Sequence, residues 1–136
     1  MNIEYMKSEL RRDEAVRLKP YRDTVGKLTI GVGRNLDDVG ITADEADYLL
    51  GNDIGRAVVD LDRAVPWWRG MSDARQRALV NMAFNLGLPR LMGFKAMLAA
   101  LQAGDYPGAA REAIDSRWAR QVGARAQRIA MMFAEG

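Results

Sequence analysis

The chain has 136 residues, 49% hydrophobic and 28% charged, with a formal net charge of +2, which is the balance of one globular domain. No apolar run approaches the roughly 18 residues of a transmembrane helix, and we expect no Sec signal peptide because the N-terminal residues lack its apolar core. The absence of Cys and His excludes disulfide scaffolds, thiol or imidazole catalysis and the usual zinc sites, leaving carboxylates, hydroxyls, Lys, Arg and Tyr for any chemistry.

The first predicted elements are a short helix and a small sheet. Apolar residues at helical spacing open the chain, at Ile3, Met6, Leu10 and Ala15. From residue 18 to residue 36, Pro20 and several glycines interrupt any helical pattern, while Val, Ile, Leu and Thr favour strands. We therefore expect an antiparallel sheet of two or three short strands, with a turn near residues 23–27.

A long helix is predicted next. Thr42 and Glu45 have the spacing of a capping box, in which a hydroxyl and a carboxylate satisfy free backbone donors at a helix start. Apolar residues then recur at intervals of three and four over residues 46–61, and Pro66 marks the end of the pattern.

The remainder of the chain has the pattern of shorter helices. Ser72 can cap a helix that ends at Gly87, and further helices are predicted around residues 94–103, 106–114 and 124–134. These elements predict an α+β fold, with a small sheet near the N-terminus and a larger helical lobe joined by one long helix. We expect a single domain over 1–136: a β-lobe over about 15–41, the long helix over about 43–64, and a helical lobe over about 66–136 plus the N-terminal helix.

Three polar residues lie where the first helix ends and the sheet begins: Glu14, Asp23 and Thr29. A helix end followed by a tight hairpin can bring them to one side of a cleft. Two carboxylates and a hydroxyl suit glycosidic bond cleavage, because one carboxyl can protonate the leaving oxygen while the other, ionised, assists at the anomeric carbon.

The segment that carries these residues resembles the active-site segment of the phage-type lysozymes, the muramidase endolysins of tailed bacteriophages. It consists of Glu14, eight residues, Asp23, five residues, Thr29 and the strand Ile-Gly-Val-Gly over 30–33. The resemblance continues in order through residues 40–46, 81–87, 93–94, 116–118 and 125–128 and so covers nearly the whole chain.

The resemblance implies roles for the three residues. Glu14 would be the general acid, Asp23 the base that activates or stabilises the attacking water, and Thr29 the hydroxyl that helps to position that water. The implied fold is a β-lobe and a helical lobe facing each other across a sugar cleft. The implied substrate is the peptidoglycan glycan strand, cut between N-acetylmuramic acid and N-acetylglucosamine. Inversion at the anomeric carbon is expected, since a hairpin carboxylate beside Thr29 suits a held water better than a nucleophile.

We further expect a monomeric enzyme with no cofactor and no metal, no nucleic-acid partner and no stable membrane insertion. Without an export signal, such an enzyme would accumulate in the host cytoplasm and reach the wall through a holin-type membrane lesion. Its role would be host cell lysis, with action at phage entry and origin from a prophage remnant as the alternatives.

Two more residues are candidates for substrate binding. Phe84 aligns with the cleft-side helix, where the family's backbone contacts sugar. Arg125 aligns with the arginine that approaches the catalytic acid across the cleft, although a place in a general basic face is the alternative. Trp67 and Trp68 could stack on sugars, but we expect a core or hinge role for them, and a core role for Trp118.

The chain also departs from the family pattern. Many relatives carry His after the Gly-x-Gly strand, where this sequence has Arg34. The helix residue that usually pairs with that His aligns with Asp53, so we expect an Arg34–Asp53 ion pair. The short stretch 35–41 predicts a trimmed β-lobe, and the end at Gly136 predicts that a final helix of larger relatives is missing.

Charge and catalytic pattern leave two other functions to weigh. Net charge is +3 over residues 1–36, −7 over 37–62 and +6 over 63–136; the basic C-terminal part indicates either an anionic polymer as partner or a solvated arginine face. A wall-binding or nucleic-acid-binding module would use those arginines, but no nucleic-acid-binding motif accompanies them. A lytic transglycosylase would cut the same bond with one Glu and leave a 1,6-anhydro end, which Asp23 and Thr29 argue against.

Overall fold

The computed structural model describes every residue from 1 to 136. It contains eight α-helices, one 3-10 helix and a three-stranded antiparallel sheet near the N-terminus, which confirms the predicted α+β fold. By compactness the chain divides into two units, Met1–Tyr48 and Leu49–Gly136. The first contains the N-terminal helix, whose assignment to the helical lobe stays a prediction. None of the helices is long and apolar enough to cross a membrane.

The N-terminal helix, α1, spans Ile3–Glu14 and starts where the Asn2 side chain accepts a hydrogen bond from the Tyr5 amide at 2.9 Å. The prediction that Ala15 continues its apolar face is wrong. Ala15 is the only non-glycine residue with positive φ, 63°, so the helix ends at Glu14. None of the α1 side chains is buried.

The sheet is formed by β1 (Arg17–Arg22), β2 (Leu28–Gly31) and β3 (Arg34–Asn35), in that order. Thr29 pairs with Tyr21 on one side and with Asn35 on the other. The turn between β1 and β2 lies over residues 23–27, as predicted, and the Asp23 amide closes it by donating to the Lys27 carbonyl at 2.9 Å.

The predicted long helix is α2, Ala43–Ala64. Its capping box is formed in both directions: the Glu45 amide donates to the Thr42 hydroxyl at 3.1 Å, and the Thr42 amide donates to the Glu45 carboxylate at 2.9 Å. Four free N–H groups at a helix start need such partners, so the local sequence suffices to fix where α2 begins.

The second unit is helical. After a 3-10 helix over Pro66–Gly70, the chain forms α3 (Asp73–Leu86), α4 (Leu88–Met92), α5 (Lys95–Ala103), α6 (Tyr106–Ile114), α7 (Arg117–Val122) and α8 (Ala124–Glu135). The Ser72 cap and the Gly87 stop of α3 are confirmed. The short helices α4 and α7 were not predicted, because five or six residues carry too little periodicity to identify a helix.

The core of this unit contains large side chains with almost no exposed surface: Leu61, Val65, Leu79, Met82, Leu91, Met97, Ile129 and Phe133. Trp68 and Trp118 are also buried, each 3% exposed, and their indole N–H groups donate to Asp62 and Asn85 respectively. The expected core role of both tryptophans is confirmed. Trp67 is half-buried and packs against the same core.

Candidate active site

Glu14 occupies the last position of α1, immediately before the positive-φ residue Ala15. No donor of the first unit hydrogen-bonds its carboxylate. Gly33 lies close to this carboxylate: its φ is +75°, and an added β-carbon would stand 3.4 Å from Glu14 Oε2. The carboxyl group is exposed and lies next to a residue without a side chain in the turn between β2 and β3.

Asp23 is held by the turn that it starts. Its Oδ1 accepts two hydrogen bonds, from the Val25 amide at 3.0 Å and from the Lys27 amide at 2.8 Å. The Gly26 amide donates to the Asp23 carbonyl at 3.0 Å. One carboxylate oxygen is thus committed to the backbone, which fixes the orientation of the group and leaves Oδ2 free to accept a proton.

Thr29 lies on β2 and is 3% exposed, the only buried polar residue of the chain. Its hydroxyl donates to the Lys27 carbonyl at 2.8 Å. Because the hydroxyl hydrogen points at that carbonyl, Oγ1 can take part in a further hydrogen bond only as an acceptor, for example from a water O–H.

Asp23 and Thr29 are brought together by the backbone of Lys27. The Lys27 amide donates to the Asp23 carboxylate, and the Lys27 carbonyl accepts from both the Asp23 amide and the Thr29 hydroxyl. Two of the three predicted catalytic side chains therefore share one stretch of backbone. The third, Glu14, belongs to the same unit and lies against Gly33.

The predicted Arg34–Asp53 ion pair is wrong. Arg34 makes a bidentate pair with Glu45, with both N–O distances 2.8 Å, and also donates to the Gly40 carbonyl at 3.0 Å. Asp53 pairs with Arg56 on its own helix. Glu45 lies in the first turn of α2, and Asp53 is eight residues, or about 12 Å, further along the helix axis, so the guanidinium meets the nearer carboxylate.

The Arg34–Glu45 pair changes the titration of both groups. Hydrogen bonds from Arg34, followed by the one from the Thr42 amide, lower the pKa of the Glu45 carboxyl to about 2. The hydrogen bonds to Glu45, followed by the charge of that carboxylate, raise the pKa of the Arg34 guanidinium. Both shifts favour the ionised form of the two groups.

The two predicted substrate-binding residues lie in the second unit and line one cavity of about 480 Å³. Phe84 is 45% exposed there. Arg125 donates to the Asn81 side chain from Nε at 2.9 Å and to the Asn81 carbonyl from Nη2 at 3.4 Å. Asn81, which the sequence indicated only as part of a motif, is therefore the residue that fixes Arg125. The rest of the lining combines apolar side chains, among them Leu50, Ile54 and Val80, with the polar side chains of Asp73, Gln76 and Arg77.

No three carboxylates converge in a way that could hold a metal ion. The chemistry available to the first unit is that of two carboxyl groups and a hydroxyl. One carboxyl is open to act as a proton donor, and the other is oriented by backbone amides with one oxygen free.

Comparisons with known proteins give consistent results. The sequence matches the family described as Phage lysozyme over residues 11–131. It is 33% identical over 159 aligned residues to the pre-baseplate central spike protein Gp5 of Enterobacteria phage T4, covering 96% of this chain but 28% of that protein. It is 24% identical to probable T4-type lysozyme 1 of Dictyostelium discoideum, covering 98% of this chain and 96% of the relative. It is 32% identical to the endolysin of Acyrthosiphon pisum secondary endosymbiont phage 1, covering 76% and 70% respectively.

Proposed function

The chain belongs to the phage lysozyme family of glycoside hydrolases, and from that premise we propose that it cleaves the peptidoglycan glycan strand between N-acetylmuramic acid and N-acetylglucosamine. The observation that carries the proposal is the pairing of Asp23 and Thr29 around the Lys27 backbone. It orients a carboxylate and a hydroxyl oxygen to accept hydrogen bonds, as a positioned water requires.

The proposed reaction is a single displacement. Glu14 donates its proton to the glycosidic oxygen as the bond from that oxygen to the anomeric carbon breaks. Water attacks the anomeric carbon from the opposite face, and the free oxygen of Asp23 accepts the proton that the water loses. Thr29 accepts a hydrogen bond from the same water and so helps to fix its direction of attack. No cofactor enters this scheme.

Substrate binding is assigned to the second unit. Phe84 offers an exposed aromatic face, and apolar ring faces suit the C–H surfaces of sugars. Arg125, held by Asn81, offers a fixed positive charge in the same cavity. Both residues bind or orient the glycan in this scheme and take no part in proton transfer.

We propose host cell lysis as the biological role, with the enzyme held in the host cytoplasm until a holin-type lesion releases it to the wall. A relative described as an endolysin supports this role. The chain spans 28% of the length of the T4 relative, a central spike protein.

The test is the loss of turbidity of purified peptidoglycan, with the wild type beside Glu14→Gln. Lysis by the wild type with new reducing ends is expected, and its absence in Glu14→Gln. Products ending in 1,6-anhydro sugars would instead identify a lytic transglycosylase. Salt-dependent retention on DNA without any lysis would support the binding-module alternative.

A further inference from the structure

The peptide group between Lys27 and Leu28 is held on both of its edges. Its carbonyl accepts the Thr29 hydroxyl at 2.8 Å and the Asp23 amide at 2.9 Å. Its N–H, which belongs to Leu28, donates to Asp37 Oδ2 at 2.8 Å. Asp37 lies in the loop after β3, nine residues along the chain, and no sequence motif singles it out.

Resting on the proposed function, we propose that Asp37 is a positioning residue for Asp23 and Thr29, acting through the Lys27–Leu28 peptide. A peptide group is planar, so a carboxylate that fixes its N–H also fixes the direction of its carbonyl. That carbonyl determines where the Thr29 hydrogen points, and therefore where the hydroxyl lone pairs face. The adjoining Lys27 amide, in turn, holds the Asp23 carboxylate.

Asp37 is the acceptor of the Leu28 amide, while the Leu28 carbonyl accepts a hydrogen bond from the Leu36 amide at 2.7 Å. A water molecule could replace Asp37 as acceptor, but it would not anchor the peptide to the loop after β3. Charge-assisted hydrogen bonds from an amide to a carboxylate are among the stronger ones available to a protein. The Asp37 bond thus anchors the N–H edge of the Lys27–Leu28 peptide to the loop after β3, in addition to the bonds between Leu36 and Leu28 and between Lys27 and Asp38.

Asp38, the next residue, provides a matched control. Its carboxylate accepts hydrogen bonds from two side chains, Lys27 Nζ of the turn at 3.2 Å and Asn35 Nδ2 of β3 at 2.9 Å. Asp37 likewise has a basic neighbour, Arg22 Nη1 at 3.7 Å. The two aspartates therefore differ in one respect that matters here, the hydrogen bond to the peptide.

The experiment compares Asp37→Ala, Asp37→Asn and Asp38→Ala with the wild type in peptidoglycan hydrolysis, at a temperature where thermal unfolding shows all four to be folded. Asp37→Ala should lower kcat about tenfold, the scale expected when catalytic groups lose their orientation, and leave KM unchanged. Asp38→Ala should behave as wild type. Asp37→Asn should restore kcat, because its amide oxygen can accept the Leu28 N–H although the charge opposite Arg22 is gone.

A second measurement does not depend on activity. Amide hydrogen exchange at Lys27, whose N–H Asp37 does not bind, should accelerate in Asp37→Ala and not in Asp38→Ala. An Asp37→Ala variant that matches Asp38→Ala in kcat and in exchange overturns the inference alone. So does an Asp37→Asn variant as impaired as Asp37→Ala, since the pair with Arg22 would then be responsible. A wild type that does not hydrolyse peptidoglycan overturns the proposed function and this inference with it.

Discussion

The Glu14 carboxylate lies close to Gly33, so that a β-carbon added to Gly33 would stand 3.4 Å from Glu14 Oε2. At that distance an added methyl group touches the carboxylate without overlapping it. It would replace solvent on one side of the group that we assign as proton donor. The absence of a side chain at position 33 is therefore part of the environment of Glu14.

Gly33→Ala should lower the rate of peptidoglycan hydrolysis as well as stability. Stability should fall because a non-glycine residue at the φ of +75° found at position 33 costs about 1–2 kcal/mol. The rate should fall because the added methyl group contacts the Glu14 carboxylate. Gly40→Ala is the control, because its φ is +65° and nothing lies within 4 Å of its added carbon. Chemical denaturation should show similar losses of stability for both, and turbidity assays a lower rate for Gly33→Ala only. Equal rates in the two variants would separate Gly33 from catalysis.

Glu14→Gln should reduce hydrolysis by about 10²-fold or more, because the amide cannot donate the proton that the leaving oxygen needs. The matched control is Glu9→Gln on the same helix, where the side chain is exposed and has no charged partner. Circular dichroism should show both variants folded. If Glu14→Gln keeps most of the wild-type rate, the assignment of the proton donor is wrong.

The first product should carry the α configuration, the result of inversion at a β-linked sugar. Inverting enzymes hold their carboxyl groups about 6.5–9.5 Å apart and admit a water between them. Asp23→Asn should keep the turn, since Oδ1 can still accept hydrogen bonds from the two amides. It should lose the negative charge that accepts the proton of the attacking water. Nuclear magnetic resonance of the fresh product gives the configuration. Initial release of the β-anomer, or a glycosyl ester trapped on Asp23, would indicate a retaining mechanism.

Glu45→Gln should remove part of the acid sensitivity of folding. The pKa of Glu45 falls to about 2 in the folded protein from an ordinary value of 4.5. A carboxyl with a lowered folded pKa stabilises the fold above its unfolded pKa, and this contribution is lost as pH falls from 4.5 through about 2. Asp62, with its pKa lowered to about 2 by Arg69 and then Trp68, contributes in the same direction. Unfolding midpoints of Glu45→Gln, Asp62→Asn and the double variant over this pH range measure how much each carboxylate contributes to stability.

A double-mutant cycle distinguishes the two possible partners of Arg34. Arg34→Met and Glu45→Gln should show coupling, whereas Arg34→Met and Asp53→Asn should add independently, because Asp53 is paired with Arg56. Gln at position 45 can still accept the Thr42 amide, so the helix cap survives in these variants. Coupling between Arg34 and Asp53 alone would contradict the structure.

Leu79→Ala should destabilise the protein by about 2–5 kcal/mol, the usual cost of such a truncation in a packed core. Leu79 has 0% exposed surface. Met131→Ala is the control, since Met131 is 57% exposed and surface substitutions usually stay within about 0.5 kcal/mol. Urea denaturation of both variants provides the comparison. Similar midpoints would mean that Leu79 is not part of the main core.

Features encoded by neighbouring residues were predictable from the sequence. The Thr42–Glu45 capping box fixes the start of α2 within four residues, and the turn before β2 follows from its glycine and flanking β-formers. The positive φ of Ala15 was not predictable, because the local sequence offers no glycine there and the end of α1 depends on how the chain enters β1.

Pairings between distant residues were harder to predict. Helix α2 contains several acidic residues that could pair with Arg34. Which of them does so, Glu45 rather than Asp53, depends on where β3 meets that helix. Motif spacing identified Asp23 and Thr29 as candidates but gave no sign that one peptide group joins them. Nor did it distinguish Asp37 from Asp38, since both are exposed acidic residues of one loop.

The shared Lys27 backbone limits how the turn can vary in length. Asp23 lies four residues before Lys27, and Thr29 lies two residues after it. One residue inserted between 23 and 29 would therefore move the Lys27 carbonyl away from at least one of them. The side chains of Thr24 and Val25 are exposed and free to change in identity, except to proline at position 25, where the amide donates to Asp23. A mutational library of this turn should therefore tolerate wide substitution at those two positions and no insertion or deletion anywhere in the seven-residue segment.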